Sequence, residues 1–132
     1  MTDTPKPELP AYAKSLGIEV HAVEDDTPVL TVDFGPNVEG RPTFFHGGAT
    51  AGLLENAAYA LLRHRLESEG RHPKLKPINI TVQYLAAGKS KRTYASARIT
   101  RLGRRNANVS VEAWQDDRSR PIASAVMNIL MA

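Results

Sequence analysis

The alternation of apolar and polar residues predicts a short helix and a hairpin in the first third of the chain. Ala11–Leu16 has the composition of a helix. Ile18, Val20 and Ala22 then alternate with polar residues, and a turn of acidic residues, Thr and Pro separates them from the apolar residues 29–34. Alternation with a period of two is typical of a half-buried strand, and Asp and Pro favour turns. The two segments are therefore interpreted as the paired strands of a hairpin.

The central segment, residues 47–66, is predicted to be a buried helix. It is rich in Ala and Leu, which favour helices, and its apolar residues occupy nearly all sides instead of one stripe. A helix of this kind has to be covered on nearly every side. Between Pro42 and Leu62 the only formally charged residue is Glu55, and Gly70 is the expected end point of the helix.

Four more strands are predicted after the helix, because the period of two returns there. They are residues 78–84, 94–101, 109–113 and 122–131. One helix among strands joined by hairpins predicts an α+β fold, with one long central helix wrapped by a curved antiparallel β-sheet. We expect residues 1–16 to form a leader that contains the short helix, and residues 17–132 to form a single domain.

Composition excludes several kinds of chemistry and location. The 132 residues include no cysteine, which excludes a disulfide framework, a thiolate nucleophile and a cysteine-based metal site. No apolar run reaches the roughly 18–20 residues of a membrane span, and the first ten residues lack the layout of a signal peptide. We therefore expect a cytoplasmic protein that does not interact with a membrane.

The net charge of +3 is divided unevenly along the chain. There are three basic and eight acidic residues through Phe45, against fourteen basic and six acidic ones from His46 onward. Seven basic residues and no acidic ones lie between Lys89 and Arg105. Such a segment suggests an anionic partner, although a solvated strand face would have the same composition. Because no DNA- or RNA-binding motif accompanies it, we expect a phosphorylated small molecule and no nucleic acid.

Glu55 is the candidate catalytic carboxylate. It follows His46 by nine residues, which places it about 180° around the helix axis from that histidine. Its own face carries small residues, including Gly48, Ala51 and Gly52. Burying an unpaired charge costs several kcal/mol or more, so this carboxylate is paired, protonated or beside a cavity.

The His46-Gly47-Gly48 segment stands where a loop enters the helix. The first amides of a helix lack backbone partners, and glycines let a ligand oxygen approach those amides closely. This arrangement can polarise a carbonyl group and hold the oxyanion that it becomes. A tight turn with close packing of the helix against a strand would require the same residues, so the spacing leaves both interpretations open.

Residues 46–57 resemble the hot dog fold acyl-CoA thioesterases of the phenylacetate-pathway and hydroxybenzoyl-CoA type. The sequence of this segment is His-Gly-Gly-Ala-Thr-Ala-Gly-Leu-Leu-Glu-Asn-Ala. Members of that family carry His-Gly-Gly and then Asp or Glu nine residues after the His. The resemblance continues through Ile80-Thr-Val-Gln-Tyr-Leu, Lys89 and Arg101-Leu-Gly-Arg-Arg-Asn-Ala, and it covers the chain from Gly35 to the C-terminus.

The resemblance implies hydrolysis of an acyl-CoA thioester without a metal or an organic cofactor. Glu55 would be the nucleophile or the general base, and Gly47, supported by Gly48, would donate a backbone N–H to the thioester carbonyl. His46 would orient the loop or the substrate. The family is dimeric at minimum and often tetrameric, with an active site formed between two subunits. A non-catalytic protein that binds or senses acyl-CoA on the same fold is the alternative.

The resemblance also suggests which residues bind substrate, and it shows two departures. The phosphates of CoA would contact basic residues of the later strands, which are Lys89, Arg101, Arg104 and Arg105. Relatives often have Asn or Gln six residues before the His, where this chain has Gly40, so that Asn37 is the nearest amide. Relatives also often have Ser or Thr four residues after the acid, where this chain has Tyr59. The departures affect the positioning of water and the choice of acyl group.

Overall fold

A computed structural model describes residues 6–132, which form two helices and one six-stranded sheet. The elements in chain order are α1 (Ala11–Leu16), β1 (Glu19–Glu24), β2 (Thr27–Val32), α2 (Gly47–Ser68), β3 (Leu75–Tyr84), β4 (Thr93–Leu102), β5 (Asn106–Trp114) and β6 (Ala123–Met131). The predicted α+β class, the hairpin and the long central helix are confirmed. Residues 1–5 of the predicted leader lie outside the described residues.

The sheet is antiparallel throughout, in the order β1-β2-β4-β5-β6-β3. The strands after the helix are expected to be joined by hairpins, and this holds for β4, β5 and β6. It does not hold for β3, which pairs with β6 at the far edge, from Leu75 opposite Met131 to Tyr84 opposite Ala123. The reason is that α2 crosses the face of the sheet before β3 begins. After α2 the chain therefore re-enters the sheet as β3, which forms its edge beside β6.

Helix α2 is buried by the inner face of the sheet. Its leucines Leu53, Leu54 and Leu62 are at most 1% exposed. The fully buried residues of the strands include four alanines, Ala95, Ala107, Ala113 and Ala123, among the larger Leu30, Val109, Met127 and Ile129. Small side chains let the helix lie close to the strands, which maximises the dispersion contacts of the core. Gly70 lies two residues after the end of α2 and has a φ of 72°, in the left-handed region. The helix therefore ends close to the glycine that is expected to end it.

Helix α1 packs against α2 at a glycine. Ala13 is fully buried, and a Cβ atom at Gly52 would come within 2.9 Å of the Tyr12 hydroxyl and 3.0 Å of Leu16 Cδ1. The absence of a side chain at Gly52 therefore allows the two helices to approach closely. Within residues 6–132, no helix combines the length and the apolar character that crossing a membrane would require.

Strand β3 forms an edge of the sheet and leaves apolar side chains in contact with solvent. Ile78 is 50% exposed, Tyr84 57% and the following Leu85 55%. Pro77 lies at an irregularity in the pairing of β3 with β6, between the pairs at Pro77 and Asn79. Exposed apolar residues beside unpaired strand groups are typical of a surface that meets another strand.

Candidate active site

Three backbone hydrogen bonds fix the start of α2. His46 N–H donates to the Val38 carbonyl at 2.7 Å, and Phe45 N–H donates to the Gly88 carbonyl at 2.9 Å. Gly40 N–H donates to the Phe44 carbonyl at 2.9 Å. Val38 is 2% exposed, so the loop before the helix is attached to the core at its centre. The residues that lead into α2 are consequently held within their own loop and by the distant Gly88.

His46 is the N-cap of α2 and uses most of the donors of the first turn. Its Nδ1 accepts from Gly48 N–H at 2.9 Å. Its carbonyl accepts from Ala49 N–H at 3.0 Å and from Thr50 N–H at 3.1 Å. Among the described residues, no acceptor lies within hydrogen-bond distance of Gly47 N–H. The structure thus separates the two glycines, because Gly48 N–H is already bonded while Gly47 N–H is available to a ligand.

A cavity of about 540 Å³ lies beside this turn. Its lining is largely aromatic and apolar and includes Arg41, Phe44, Phe45, Gly47, Tyr84 and Leu85. The Tyr84 hydroxyl donates to the Gly47 carbonyl at 2.8 Å. The Arg41 guanidinium lies 4.5 Å from the centroid of the Phe44 ring. An apolar cavity with a free amide and one cation at its wall is the kind of surface that binds a substrate carbonyl.

Glu55 lies on α2 eight residues after Gly47, which is about 12 Å along the helix axis at 1.5 Å per residue. It is half-buried, and among residues 6–132 no cation lies within ion-pair distance of its carboxylate. Within one chain, its carboxylate and the Gly47 amide therefore do not converge on one point. Glu55 is therefore a half-buried acid of α2 without an ion-pair partner among the described residues.

Tyr59 and Arg63 continue the same face of the helix after Glu55, at intervals of four residues. The Arg63 guanidinium lies 5.3 Å from the centroid of the Tyr59 ring. Burial raises the pKa of the Tyr59 phenol above its ordinary value of 10, and the negative charge of Glu55 raises it further. The positive charge of Arg63 acts in the opposite direction. The three side chains thus form an electrostatically coupled row, which is called the α2 row below.

The departure from the family pattern at Gly40 has a physical explanation in the loop. A Cβ atom at Gly40 would lie 2.9 Å from the Cα of His46, so no side chain fits there without moving the backbone. Asn37 donates through Nδ2 to the Ser15 carbonyl at 3.4 Å, and it lines a different cavity, of about 370 Å³, together with His46 and Gly48. The nearest amide therefore lies on the other side of His46 from Gly47.

The predicted phosphate-binding residues are divided between the two ends of the sheet. Lys89 forms an isolated antiparallel β-bridge with Phe44. Phe44 and Gly88, the residue before Lys89, both line the 540 Å³ cavity, so Lys89 lies near that cavity. Arg101, Arg104 and Arg105 lie around the turn between β4 and β5, where the Arg105 carbonyl accepts from Met131 N–H at 2.7 Å. Since Met131 pairs with the first residue of β3, this turn is at the end of the sheet away from Tyr84. One chain does not bring the four residues together.

Two neighbouring basic residues of the same segment are used in ion pairs. Lys91 Nζ lies 2.8 Å from Asp116, and Arg92 Nε lies 2.9 Å from Asp33. Part of the basic segment is therefore neutralised within the fold. Among residues 6–132, no group of three His, Asp or Glu side chains could hold a metal ion.

The sequence does not identify Tyr84 and Arg41 as members of the site. Tyr84 is interpreted from its pattern as an ordinary sheet residue, and it is the last residue of β3. Its contact with Gly47 joins residues that are 37 positions apart. Periodicity reports only which face of its own strand a residue occupies, so no local signal could have revealed this contact.

The chain matches the sequence model of a known protein family over most of its length. The sequence model of the family described as Acyl-CoA thioesterase N-terminal domain matches residues 39–130. The matched range contains the start of α2, Glu55 and Tyr84. No protein with curated annotation matches the chain at a significant level.

Solved structures with the same architecture include proteins from several bacteria. A phenylacetic acid degradation-related protein from Ralstonia eutropha JMP134 aligns with a TM-score of 0.79 and 21% identity, over 95% of this chain and 92% of that one. A thioesterase from Haemophilus influenzae aligns with a TM-score of 0.81 and 17% identity, over 92% and 82%. A protein from Chromobacterium violaceum is 31% identical, with a TM-score of 0.74 over 92% and 82%. The first two are too distant to show more than the fold, and the predicted hot dog fold is confirmed.

Introducing the amide that relatives carry before the His is expected to damage this site. In Gly40→Asn the new Cβ would collide with the His46 backbone, at a cost of about 1–3 kcal/mol in the free energy of unfolding. Gly35→Asn is the matched control, because nothing lies within 4 Å of a Cβ at that position. Urea unfolding of both variants measures the difference, and equal stabilities would contradict the proposed collision.

Burial and the coupling in the α2 row predict that the pKa of Tyr59 is raised above the ordinary value of a phenol. In the wild type, Tyr59 should keep its proton above pH 10, since its pKa is raised. Glu55→Gln removes a negative charge and should lower the pKa of Tyr59, whereas Arg63→Met removes a positive charge and should raise it. Absorbance at alkaline pH follows the titration, and Tyr59→Phe identifies the signal. Identical curves for the wild type and Glu55→Gln would show that the two groups are not coupled.

Proposed function

The chain belongs to the acyl-CoA thioesterase family, and from that premise we propose that it hydrolyses an acyl-CoA thioester to a free acid and CoA. The observation that carries the proposal is the first turn of α2. Gly47 N–H is left without an acceptor among the described residues, and it borders a cavity of about 540 Å³. A free backbone donor at a helix N-terminus is suited to a carbonyl oxygen that gains negative charge.

In the proposed reaction the Gly47 N–H binds the thioester oxygen and stabilises the oxyanion. Glu55 acts in one of two ways. Its carboxylate attacks the carbonyl carbon and forms an anhydride that water then hydrolyses, or it takes a proton from a water molecule that attacks directly. In both cases the C–S bond breaks, the sulfur leaves with a proton as CoA, and water supplies the oxygen of the acid. No metal and no organic cofactor takes part in this scheme.

The proposed catalytic unit is a homodimer, because Gly47 and Glu55 are too far apart within one chain. The edge strand β3, with the exposed Ile78 and Tyr84, supports pairing with a second copy. In a twofold pair the two strands are antiparallel, so the two α2 helices also run in opposite directions. Glu55 of one subunit then approaches the start of α2 in the other. A homotetramer of two such dimers is the expected larger assembly.

The same symmetry gives the separated basic residues a common function. Antiparallel pairing of β3 brings the turn with Arg104 and Arg105 of one subunit to the end where the other subunit has its Gly47 cavity. We propose that this turn, with Arg101, binds phosphates of CoA together with Lys89 of the other chain. Partly solvated guanidinium groups are well suited to bind phosphate.

Two substitutions test the proposed chemistry directly. Glu55→Gln should lower kcat about 100-fold or more on a panel of acyl-CoA esters, because the carboxylate function is lost. Gly47→Pro should lower kcat about 100- to 1,000-fold, because it removes the single N–H that would hold the oxyanion. Proline is tolerated at the first helical position, and His46, with φ −65° and ψ 133°, has the extended conformation required before it.

Matched variants separate the loss of chemistry from the loss of structure. Glu67→Gln changes another acid of α2 that is exposed, and it should leave kcat within about twofold. Gly47→Ala keeps the N–H and should lose far less activity than Gly47→Pro. A wild type that binds acyl-CoA without turning it over would favour the non-catalytic binding protein and overturn the proposal.

Mixing two inactive variants tests whether the site is shared between subunits. Random exchange of Glu55→Gln and Gly47→Pro subunits gives heterodimers in half of the molecules, each with one intact site if the two residues come from different chains. The mixture should then recover about one quarter of the wild-type activity. If both residues of a site come from one chain, no intact site is formed and the mixture stays inactive.

A further inference from the structure

We infer that Tyr84 is a positioning residue for the proposed reaction, because its hydroxyl holds the peptide next to the free amide of Gly47. The inference rests on the proposed function and adds a residue to it. Tyr84 does not touch the reacting atoms in this scheme. It acts through the backbone of Gly47, from the last position of β3.

The contact between Tyr84 and Gly47 is close and specific. The phenol donates to the Gly47 carbonyl at 2.8 Å. The hydroxyl, Cζ and Cε1 atoms of Tyr84 lie 3.4, 3.5 and 3.6 Å from the place where a Cβ of Gly47 would be. The ring edge and the hydroxyl therefore pack directly against this glycine. A side chain at that position would stand in van der Waals contact with the ring.

The peptide between Gly47 and Gly48 is held at both of its polar ends. Tyr84 binds its carbonyl, and His46 Nδ1 accepts its N–H at 2.9 Å. Because a peptide group is planar, two bonds on opposite sides fix its orientation. Peptides between glycines are otherwise the most mobile in a chain, since no Cβ limits their rotation. The two bonds thereby fix the Cα of Gly47, to which the free N–H is attached through a single bond.

Packing does not explain why Tyr84 is where it is. Its side chain is 57% exposed, so the ring contributes little to the buried core. Its one described hydrogen bond is made by the hydroxyl to Gly47. Within one subunit, a tyrosine that adds little to the core and whose hydroxyl is bonded to the backbone of a helix N-terminus fits a role in fixing that backbone.

The test is Tyr84→Phe, which keeps the ring and removes only the hydroxyl. We expect kcat on an acyl-CoA ester that the wild type hydrolyses to fall about tenfold, since a misplaced donor weakens binding of the transition state. KM should stay within about twofold. The matched control is Tyr94→Phe, on the outer face of the sheet, where the ring stacks on Trp114 with a centroid distance of 5.9 Å. Tyr94→Phe should leave both constants unchanged.

A second measurement does not depend on turnover. The chain has nine glycines, so protein labelled with carbonyl ¹³C at glycine gives a small set of NMR signals, and Gly47→Ala identifies the one from Gly47. Loss of the hydrogen bond in Tyr84→Phe should move this signal and leave those of distant glycines, such as Gly70, in place. A signal that does not move would overturn the assigned contact.

The outcomes separate this inference from the function on which it rests. If the wild type is active and Tyr84→Phe has the same kcat, the positioning role is wrong and the proposed function stands. If KM rises at constant kcat, Tyr84 binds substrate and does not position the amide. If the wild type hydrolyses no ester of the panel while the Gly47 signal moves, the contact is real, but the proposed function fails and the catalytic role of Tyr84 fails with it.

Discussion

The need to bury a helix that is apolar on nearly every side determines the rest of this structure. Leu53, Leu54 and Leu62 point in different directions around α2, and each is buried. Such a helix cannot rest on a flat surface, so the sheet surrounds it, and small side chains on the inner strands let it approach closely. The Glu55 side chain is an exception on this helix, since it is charged and only half-buried, and it shares a face of α2 with Tyr59 and Arg63.

The backbone conformation at the start of α2 is fixed as well. The loop before it is tied to Val38 and Gly88, and His46 consumes three of the first four N–H groups of the helix. The orientation of the remaining donor, on Gly47, is thus set by contacts that reach across the fold. In the proposed reaction, preorganisation of this kind avoids the cost of ordering a dipole as the oxyanion forms. The first turn of α2 thus connects the core with the proposed chemistry.

Much of this arrangement could be predicted from the sequence, and the remainder depends on contacts that spacing does not encode. The composition of residues 47–66, rich in Ala and Leu, located α2, and the period of two located the strands. The lone charge drew attention to Glu55. The position of β3 beside β6 could not be read in this way, because periodicity gives the faces of a strand and not its neighbours. The different states of Gly47 and Gly48 depend on how the His46 ring turns. The contact of Tyr84 depends on how two distant elements meet. The family resemblance suggested a role for each member of the motif, but not that the Gly48 N–H is bonded to the His46 ring.

Pro77 in the edge strand has a consequence for how many strands can be added to this sheet. A proline has no N–H to donate, and the irregular pairing of β3 lies at this residue. Pro77 therefore interrupts the row of backbone donors along β3, and the stretch from Ile78 to Tyr84 is the longest one in which every residue carries an N–H. An interrupted edge opposes the sliding, open-ended stacking of strands by which exposed edges grow into fibrils. One residue thus counters the aggregation risk that the exposed Ile78 and Tyr84 bring to this edge.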